Sequence, residues 1–260
     1  MEMRTLGSTG LKVSLLGLGT VKIGRNAGVK YPRGFDLPDD DAVIALLNAA
    51  RTLGINLLDT APAYGVSEER LGQLLPKTAG WRREDWVIVT KAGEDFENGA
   101  SQFDFAPAAI RVSVERSLQR LRLDHVDAVL LHSDGEDEAG DRFLPAAEEL
   151  MRLKQRGLIR ASGFSGKTVA GAERLLPHVD LLMATYNPGH TAEAGVIARS
   201  GQQGKGVLIK KALASGHAHD PAAALAMAAT LPGVSSIVVG TLSPANLRAN
   251  VAAVAAGRVA

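Results

Sequence analysis

The chain has 260 residues, of which 46% are hydrophobic and 22% charged, and its formal net charge is +1. This composition is typical of a soluble globular protein, and the near-neutral charge gives no reason to expect a nucleic acid or an anionic membrane as a partner. The sequence contains no cysteine, which excludes disulfides, thiolate metal sites and cysteine nucleophiles.

The amino-terminal segment predicts a β-hairpin rather than a targeting signal. A Gly-Ser-Thr-Gly turn at 7–10 separates two short extended pieces. No long apolar core follows a basic start, and no later run reaches the roughly eighteen apolar residues of a membrane span. We therefore expect a cytoplasmic protein with no membrane partner.

The rest of the chain alternates between short apolar runs and helical patterns. The runs are nearly continuous in Leu, Ile and Val, as expected for parallel strands that are buried on both faces. They lie at 14–19, 55–60, 86–91, 126–132, 159–164, 180–186, 206–210 and 235–240. These eight strand–helix units predict an α/β fold, a (β/α)8 TIM barrel with an N-terminal β-hairpin, as a single domain over 1–260.

Two connections are longer than such a barrel needs, at 22–38 and 133–143. Both follow strands, so we expect them at the end of the barrel where loops usually set specificity. The acidic second connection is typical of a solvated loop, and it lacks the ligand spacing of a cation site, so no metal is expected.

Four polar residues stand at or just past the downstream ends of apolar runs, where ionisable groups are unusual. They are Asp59, Tyr64, Lys91 and His132, in the segments INLLDTAPAYG, DWVIVTKAG and VDAVLLHSDG. The downstream ends of barrel strands share one face, and active sites lie there. The pattern therefore predicts that four proton-handling groups converge.

The four types of side chain together suit the reduction of a carbonyl group. A nicotinamide cofactor must supply the hydride, since no side chain can. Tyr64 is the candidate proton donor, and the ammonium of Lys91 is expected to lower its pKa from the usual value near 10. Asp59 would hold Lys91 charged, and His132 would donate a hydrogen bond to the substrate oxygen.

Each of the four also has a structural interpretation when taken alone. Asp59 fits a cap at the end of a strand, and Tyr64 fits an aromatic side chain on the rim of the barrel. Lys91 fits a lysine whose ammonium reaches water, and His132 a structural histidine. All four coincidences together are less probable than any one of them, which favours the catalytic interpretation.

The sequence resembles the aldo-keto reductase family along essentially its whole length. The motifs are LGLGT at 16–20, LLDTAPAYG at 57–65, VTKAG at 89–93, LLHSD at 130–134, IRASGFS at 159–165, TYNP at 185–188 and VVGTLSPANLRAN at 238–250. The resemblance implies a barrel that binds a nicotinamide dinucleotide without a GxGxxG motif. It also implies Tyr64 as the acid, Asp59 and Lys91 as the groups that tune it, and His132 as the group that orients substrate.

The resemblance also implies a set of cofactor-binding residues. At the nicotinamide and ribose these are Gly19, Thr20, Asp59 and Ser165; near the pyrophosphate and the adenosine they are Lys210, Lys211, Leu213, Gly240, Thr241, Leu242, Arg248 and Asn250. The two lysines are equally compatible with a pair that reaches solvent from the end of a strand. NADP(H) is favoured by the resemblance. NAD(H) stays open because many relatives carry Lys and Arg where this chain has Gly240 and Asn246.

The expected partner is a small carbonyl or alcohol substrate, and the sequence does not indicate the oligomeric state. Two other functions fit the same residues. One is a nicotinamide-binding sensor or interaction subunit with little turnover. The other is a lyase that forms a Schiff base on Lys91, although a carboxylate beside the amine would keep it charged.

Overall fold

The eight apolar runs form eight parallel strands that close into a barrel, which confirms the predicted fold. The computed structural model describes residues 1–137 and 142–257. In chain order the barrel strands are β3 (Leu16–Gly19), β4 (Leu57–Asp59), β5 (Val87–Ala92), β8 (Val126–His132), β9 (Ile159–Ser165), β10 (Leu181–Thr185), β11 (Gly206–Lys210) and β12 (Ser236–Val239). Strand β12 pairs with β3 and closes the barrel.

Helices surround the barrel and alternate with its strands as predicted, and a short additional helix, α1 (Val21–Gly24), follows β3 at the start of the predicted long connection. The others are α2 (Asp40–Thr52), α3 (Ser67–Leu74), α4 (Pro107–Leu121), α5 (Phe143–Gln155), α6 (Val169–Leu175), α7 (Ala194–Gln202), α8 (Pro221–Thr230) and α9 (Pro244–Ala256). Asp39 caps α2 by accepting a hydrogen bond from the amide of Ala42, and Ser243 caps α9 through the amide of Asn246. None of the helices within the described ranges is long and apolar enough to cross a membrane.

Apolar side chains form two separate layers. One fills the inside of the barrel and includes Leu57, Val89 and Leu130. The other lies between the strands and the helices and includes Leu58, Ile88 and the aromatic rings of Phe143 and Phe164. Neighbouring residues of a strand alternate between the layers, which explains why the runs are apolar throughout.

The predicted N-terminal hairpin covers one end of the barrel. It consists of β1 (Met3–Thr5) and β2 (Lys12–Ser14), joined by a short 3-10 turn. Leu6, Leu11 and Val13 belong to the inner apolar layer and close the end that holds the amino ends of the strands. We call this end the barrel base, and the opposite end the barrel mouth.

A second hairpin, which the sequence analysis did not predict, follows β5. Strand β6 (Glu94–Glu97) pairs with β7 (Ala100–Phe103) in antiparallel register. Both strands are at least partly exposed, and the turn between them uses Asn98 at φ 52° and Gly99 at φ 82°. The carboxyl end of β5 leads directly into β6, so this hairpin stands at the barrel mouth.

The long connection after β3 also lies over the mouth. After the short α1, residues 25–39 run without regular structure across to the loops that follow β11 and β12. The hydroxyl of Tyr31 lies 3.3 Å from the position that a Cβ on Gly240 would take, and the Pro32 ring lies 3.2 Å from that of a Cβ on Gly216. Of the other predicted long connection, 133–143, residues 138–141 lie outside the described residues.

Candidate active site

The register of the barrel brings the four predicted residues to the mouth. Asp59 ends β4 opposite Val89, Lys91 lies near the end of β5, and His132 ends β8. Tyr64 follows β4 in a 3-10 turn, Pro62–Tyr64. The centroids of the Tyr64 and His132 rings are 6.5 Å apart, with the ring planes nearly perpendicular.

Lys91 is the centre of this group. Its side chain is only 1% exposed, and Nζ donates to Asp59 Oδ1 at 2.7 Å, to the Thr60 carbonyl at 2.9 Å and to Tyr64 Oη at 3.1 Å. An ammonium has three N–H bonds, and all three are used here. The lysine is therefore fixed in place, and the alternative in which it reaches water is wrong for this residue.

The turn that carries Tyr64 requires glycine at two positions, Gly24 and Gly65. Gly65 adopts φ 62°, and a Cβ there would lie 2.3 Å from the carbonyl oxygen of Gly24. A Cβ on Gly24 would in turn lie 2.3 Å from the carbonyl oxygen of Tyr64. This close approach of α1 to the turn directs the phenol toward Lys91, and any larger residue at either position would displace it.

The expected lowering of the Tyr64 pKa is wrong for the site as it stands. Burial raises the pKa of the Tyr64 hydroxyl well above its usual value, and the charge of Asp59 raises it further. Asp59 Oδ2 lies 3.4 Å from Tyr64 Oη, and the same carboxylate neutralises Lys91. The phenol is therefore protonated and able to donate, and Lys91 is positioned to stabilise a phenolate only as the proton leaves.

His132 contacts a residue that the sequence analysis missed. Its Nδ1 lies 2.7 Å from Oε2 of Glu94, the first residue of β6. The two atoms are close but form no aligned hydrogen bond, and the contact is ionic only when the ring is doubly protonated. Burial lowers the pKa of His132, and Glu94 acts in the opposite direction.

A sequence signal for Glu94 exists in the turn of its hairpin. The dipeptide Asn98-Gly99 is typical of a two-residue β-hairpin turn, because both residues tolerate a positive φ. It stands between the polar segments EDFE and ASQF. The exposed strands lack the apolar alternation that usually reveals a hairpin.

The residues predicted at the nicotinamide lie at neighbouring strand ends. Gly19 pairs with Asp59, and Ser165 pairs with His132. The hydroxyl of Thr20 is buried, donates to the Asp59 carbonyl at 2.9 Å and accepts from Ser67 Oγ at 2.8 Å. Thr20 therefore braces the site internally, and its hydroxyl already has two partners.

Lys210 is the last residue of β11 and Lys211 follows it, and the two lysines differ in their surroundings. Half-buried Lys210 donates to Ser165 Oγ at 2.9 Å and to the Gly166 carbonyl at 2.6 Å, so it points into the mouth. Lys211 is exposed at φ 55°. The side of Lys211 that faces the protein loses hydration, which lowers its pKa, and the nearby charges of Lys30 and Lys167 lower it further. Such mutual repulsion fits an anionic group like a pyrophosphate, which would relieve it.

The residues predicted at the adenosine end lie around the start of α9. Thr241 is buried, and Gly240 and Leu242 are half-buried. Leu213, predicted near the pyrophosphate, lies in the loop after β11 and packs on the outer apolar layer. Arg248 is exposed and Asn250 is half-buried. The Thr241 hydroxyl accepts from the Ser243 amide at 3.1 Å, and Ser243 is already the helix cap. The backbone amides of this helix end are the groups that favour a phosphate.

A metal site is not evident in the parts of the chain that the structure describes. Over residues 1–137 and 142–257, no three His, Asp or Glu side chains form a group able to hold an ion. Asp137, in the acidic connection, instead accepts hydrogen bonds from the amides of Lys167 and Thr168.

Comparison with known proteins identifies the family. The family model of the aldo/keto reductases matches residues 15–221. The chain belongs to this family. It is 39% identical over 171 residues to L-galactose dehydrogenase of Arabidopsis thaliana, a match that covers 64% of this chain and 49% of the relative. It is 35% identical over 204 residues to NADH-specific methylglyoxal reductase of Escherichia coli, covering 72% and 59%. The chain thus spans about half of the first relative and three fifths of the second.

Solved aldo-keto reductases share the fold of this chain. A Pseudomonas aeruginosa protein assigned to the family is 51% identical with a TM-score of 0.86, over 98% of this chain and 95% of that one. An aldo-keto reductase from Bacillus halodurans in its holo form is 26% identical with a TM-score of 0.80, over 98% and 91%. Both agree with the barrel described above.

Proposed function

We propose that this aldo-keto reductase is an NAD(P)H-dependent enzyme that reduces aldehydes or ketones to alcohols, or runs the reverse reaction, with Tyr64 as the proton donor. The observation that carries the proposal is the full coordination of the Lys91 ammonium by Asp59, Thr60 and the Tyr64 oxygen. Because Tyr64 Oη accepts from Lys91 and donates only a long hydrogen bond of 3.4 Å to Asp59 Oδ2, its proton can turn toward a substrate at the mouth.

Gly19, Asp59 and Ser165, at neighbouring strand ends, would hold a nicotinamide whose chemistry would be the transfer of a hydride to the carbonyl carbon. The carbonyl oxygen then takes the proton of Tyr64, and the negative charge left on the phenol oxygen lies 3.1 Å from the Lys91 ammonium. Asp59 keeps that ammonium charged and in place, and the braced Thr20 and Ser67 hydroxyls hold the adjacent backbone. His132 orients the substrate oxygen from the other side of the mouth.

For the cofactor we propose NADPH as the preferred form and NADH as the alternative. The lysines Lys30, Lys167 and Lys211 support a site for the pyrophosphate. Exposed Arg248 is the cation on α9 that could meet a 2′-phosphate. An Escherichia coli relative is named as NADH-specific, so parallel titrations with both cofactors decide the preference.

Two observations weigh against the other functions. A Schiff base requires a free neutral amine, whereas Lys91 is 1% exposed and its three N–H groups all have acceptors, one of them a carboxylate. A sensor without turnover would have no use for a phenol held between an ammonium and a carboxylate. The sensor stays an outcome of the test below.

The test replaces Tyr64 with Phe. We expect kcat for a panel of aldehydes and ketones to fall by about 10²–10⁴-fold, because the proton donor is lost. The affinity for NADPH, measured by fluorescence titration, should stay nearly unchanged. Tyr186→Phe is the matched control, since Tyr186 packs in the outer apolar layer. Unchanged turnover in Tyr64→Phe would remove the mechanism, and cofactor binding without turnover in the wild type would favour the sensor.

A further inference from the structure

The contact between His132 and Glu94 joins the barrel to the hairpin that stands outside it. His132 ends β8, and Glu94 begins β6. Glu94 is held from its other side, because the Ser101 hydroxyl of β7 donates to Oε1 at 2.6 Å while Oε2 faces His132 Nδ1 at 2.7 Å. The side chain of Glu94 is 12% exposed and that of His132 is 19% exposed, so solvent screens their contact only in part.

This contact assigns different roles to the two ring nitrogens of His132. Nδ1 is buried 2.7 Å from a carboxylate oxygen, where an unprotonated nitrogen would place its lone pair against a negative charge, so we assign a proton to Nδ1 in both forms of the ring. The part of the ring that stays exposed lies away from Nδ1, which leaves Nε2 for a ligand in the mouth. A neutral ring then presents a lone pair at Nε2, and only the doubly protonated ring presents an N–H there.

We propose that Glu94 is a positioning residue that holds His132 through Nδ1 and favours its doubly protonated form, so that Nε2 donates to a carbonyl oxygen during reduction. The neutral ring instead accepts a hydrogen bond from an alcohol hydroxyl during oxidation. His132 transfers no proton to or from the substrate during reduction or oxidation, and the transferred proton remains that of Tyr64. This inference rests on the proposed function for its catalytic consequence.

The charged groups around His132 determine the direction in which its pKa should change when Glu94 loses its charge. Burial lowers the His132 pKa most, Glu94 raises it, and the ammonium groups of Lys91 and Lys210 lower it. Burial alone would raise the Glu94 pKa, but His132, Ser101 and Lys167 outweigh it and bring the pKa to about 2. Glu94 is therefore ionised throughout the range in which His132 titrates, and removing its charge leaves influences that lower the His132 pKa.

The first experiment follows the His132 ring directly in the full-length protein. The nitrogen resonances of His132, assigned by their loss in His132→Asn, are titrated by NMR in the wild type, Glu94→Gln and Glu97→Gln. We expect a lower pKa in Glu94→Gln by about one unit, which is tenfold in proton affinity. Glu97 lies on the same hairpin strand and is exposed, so Glu97→Gln should titrate like the wild type.

The second experiment measures the pH dependence of carbonyl reduction. The acidic range in which kcat/KM is high should move to lower pH in Glu94→Gln, with the affinity for NADPH unchanged. Glu94→Asp retains the charge and should recover part of the shift, which separates charge from a fault in folding. The proposal is overturned if His132 titrates identically in the wild type and Glu94→Gln. This titration needs no turnover, so its result stands apart from the Tyr64→Phe test.

Discussion

The two ends of the barrel both bury charged side chains, but they use them differently. At the base, Asp127 of β8 accepts hydrogen bonds from Arg83 at 2.7 Å, from Arg160 at 3.0 Å and from the amide of Ile88 at 2.8 Å. Both of its carboxylate oxygens are occupied by donors of the same chain. At the mouth, Lys91 is equally well paired, but the groups next to it keep capacity for another molecule.

The difference lies in what remains available after the internal bonds are made. Tyr64 accepts from Lys91 and makes only a long contact of 3.4 Å to Asp59, so its proton remains available. His132 has Nδ1 against Glu94 and leaves Nε2 open. A buried charge at the base therefore stabilises the fold, whereas the same kind of charge at the mouth holds neighbouring groups ready to bind and react.

Replacement of Lys91 with Met should have the largest effect, because it should lower both the stability of the fold and the turnover of the enzyme. The carboxylate of Asp59 would stay buried at 3% exposure without its cation. We expect a loss of about 3–5 kcal/mol in the free energy of unfolding, together with loss of turnover. Urea denaturation and a carbonyl reduction assay measure the two effects.

The double variant Lys91→Met with Asp59→Asn provides the control, because it removes both members of the pair. Stability should return in part while turnover should not. Lys12→Met, at an exposed site on β2, controls for the loss of a positive charge. An unchanged free energy of unfolding in Lys91→Met would show that the Lys91–Asp59 ion pair stabilises the fold no more than an ion pair at the surface does.

Replacement of Asp127 with Asn should separate the two ends of the barrel. The amide cannot accept from Arg83 and Arg160 as the carboxylate does, so we expect a loss of about 1–3 kcal/mol in stability. Values of kcat and KM should not change, because Asp127 lies near the start of β8 and the site lies at its end. Asp124→Asn, an exposed site nearby, is the control, and reduced kcat in Asp127→Asn alone would contradict the separation of roles.

The sequence predicts the barrel and the position of its mouth well, for a physical reason. Strands buried on both faces read as continuous apolar runs, and a polar residue at the end of such a run must have a partner or a function. Asp59, Lys91 and His132 stand out on that basis. Tyr64 is found because it follows Asp59 within a single turn.

Properties that depend on distances between segments were not predictable in the same way. Glu94 lies in an exposed polar hairpin, so no apolar pattern marks it, although the Asn98-Gly99 turn does. The direction of the Tyr64 pKa depends on how burial and the two neighbouring charges combine, and spacing along the chain does not give those distances. The pairing of Lys210 with Ser165 likewise arises across the barrel rather than along the chain.

The smallest expected effect concerns Lys210, which differs from Lys91 in having neutral hydrogen-bond partners. Nζ contacts Ser165 Oγ and the Gly166 carbonyl, and burial followed by the charge of Lys211 lowers the Lys210 pKa to about 7. The group is charged below that pH and neutral above it. An anionic cofactor binds the charged form better, so affinity for NADPH should fall several-fold, at most about tenfold per pH unit, as the pH rises through 7.

Replacement of Lys210 with Met should flatten this dependence, which fluorescence titrations of NADPH between pH 6 and pH 9 would measure. Lys205→Met is the matched control, because Lys205 precedes the same strand at the barrel base and donates to the Val179 carbonyl at 2.7 Å. It should retain the slope of the wild type, since its charge lies at the opposite end of β11. If NADPH affinity depends on pH equally in the wild type, Lys210→Met and Lys205→Met, the charge of Lys210 does not contribute to cofactor binding. Lys210 would then be a structural lysine like Lys205.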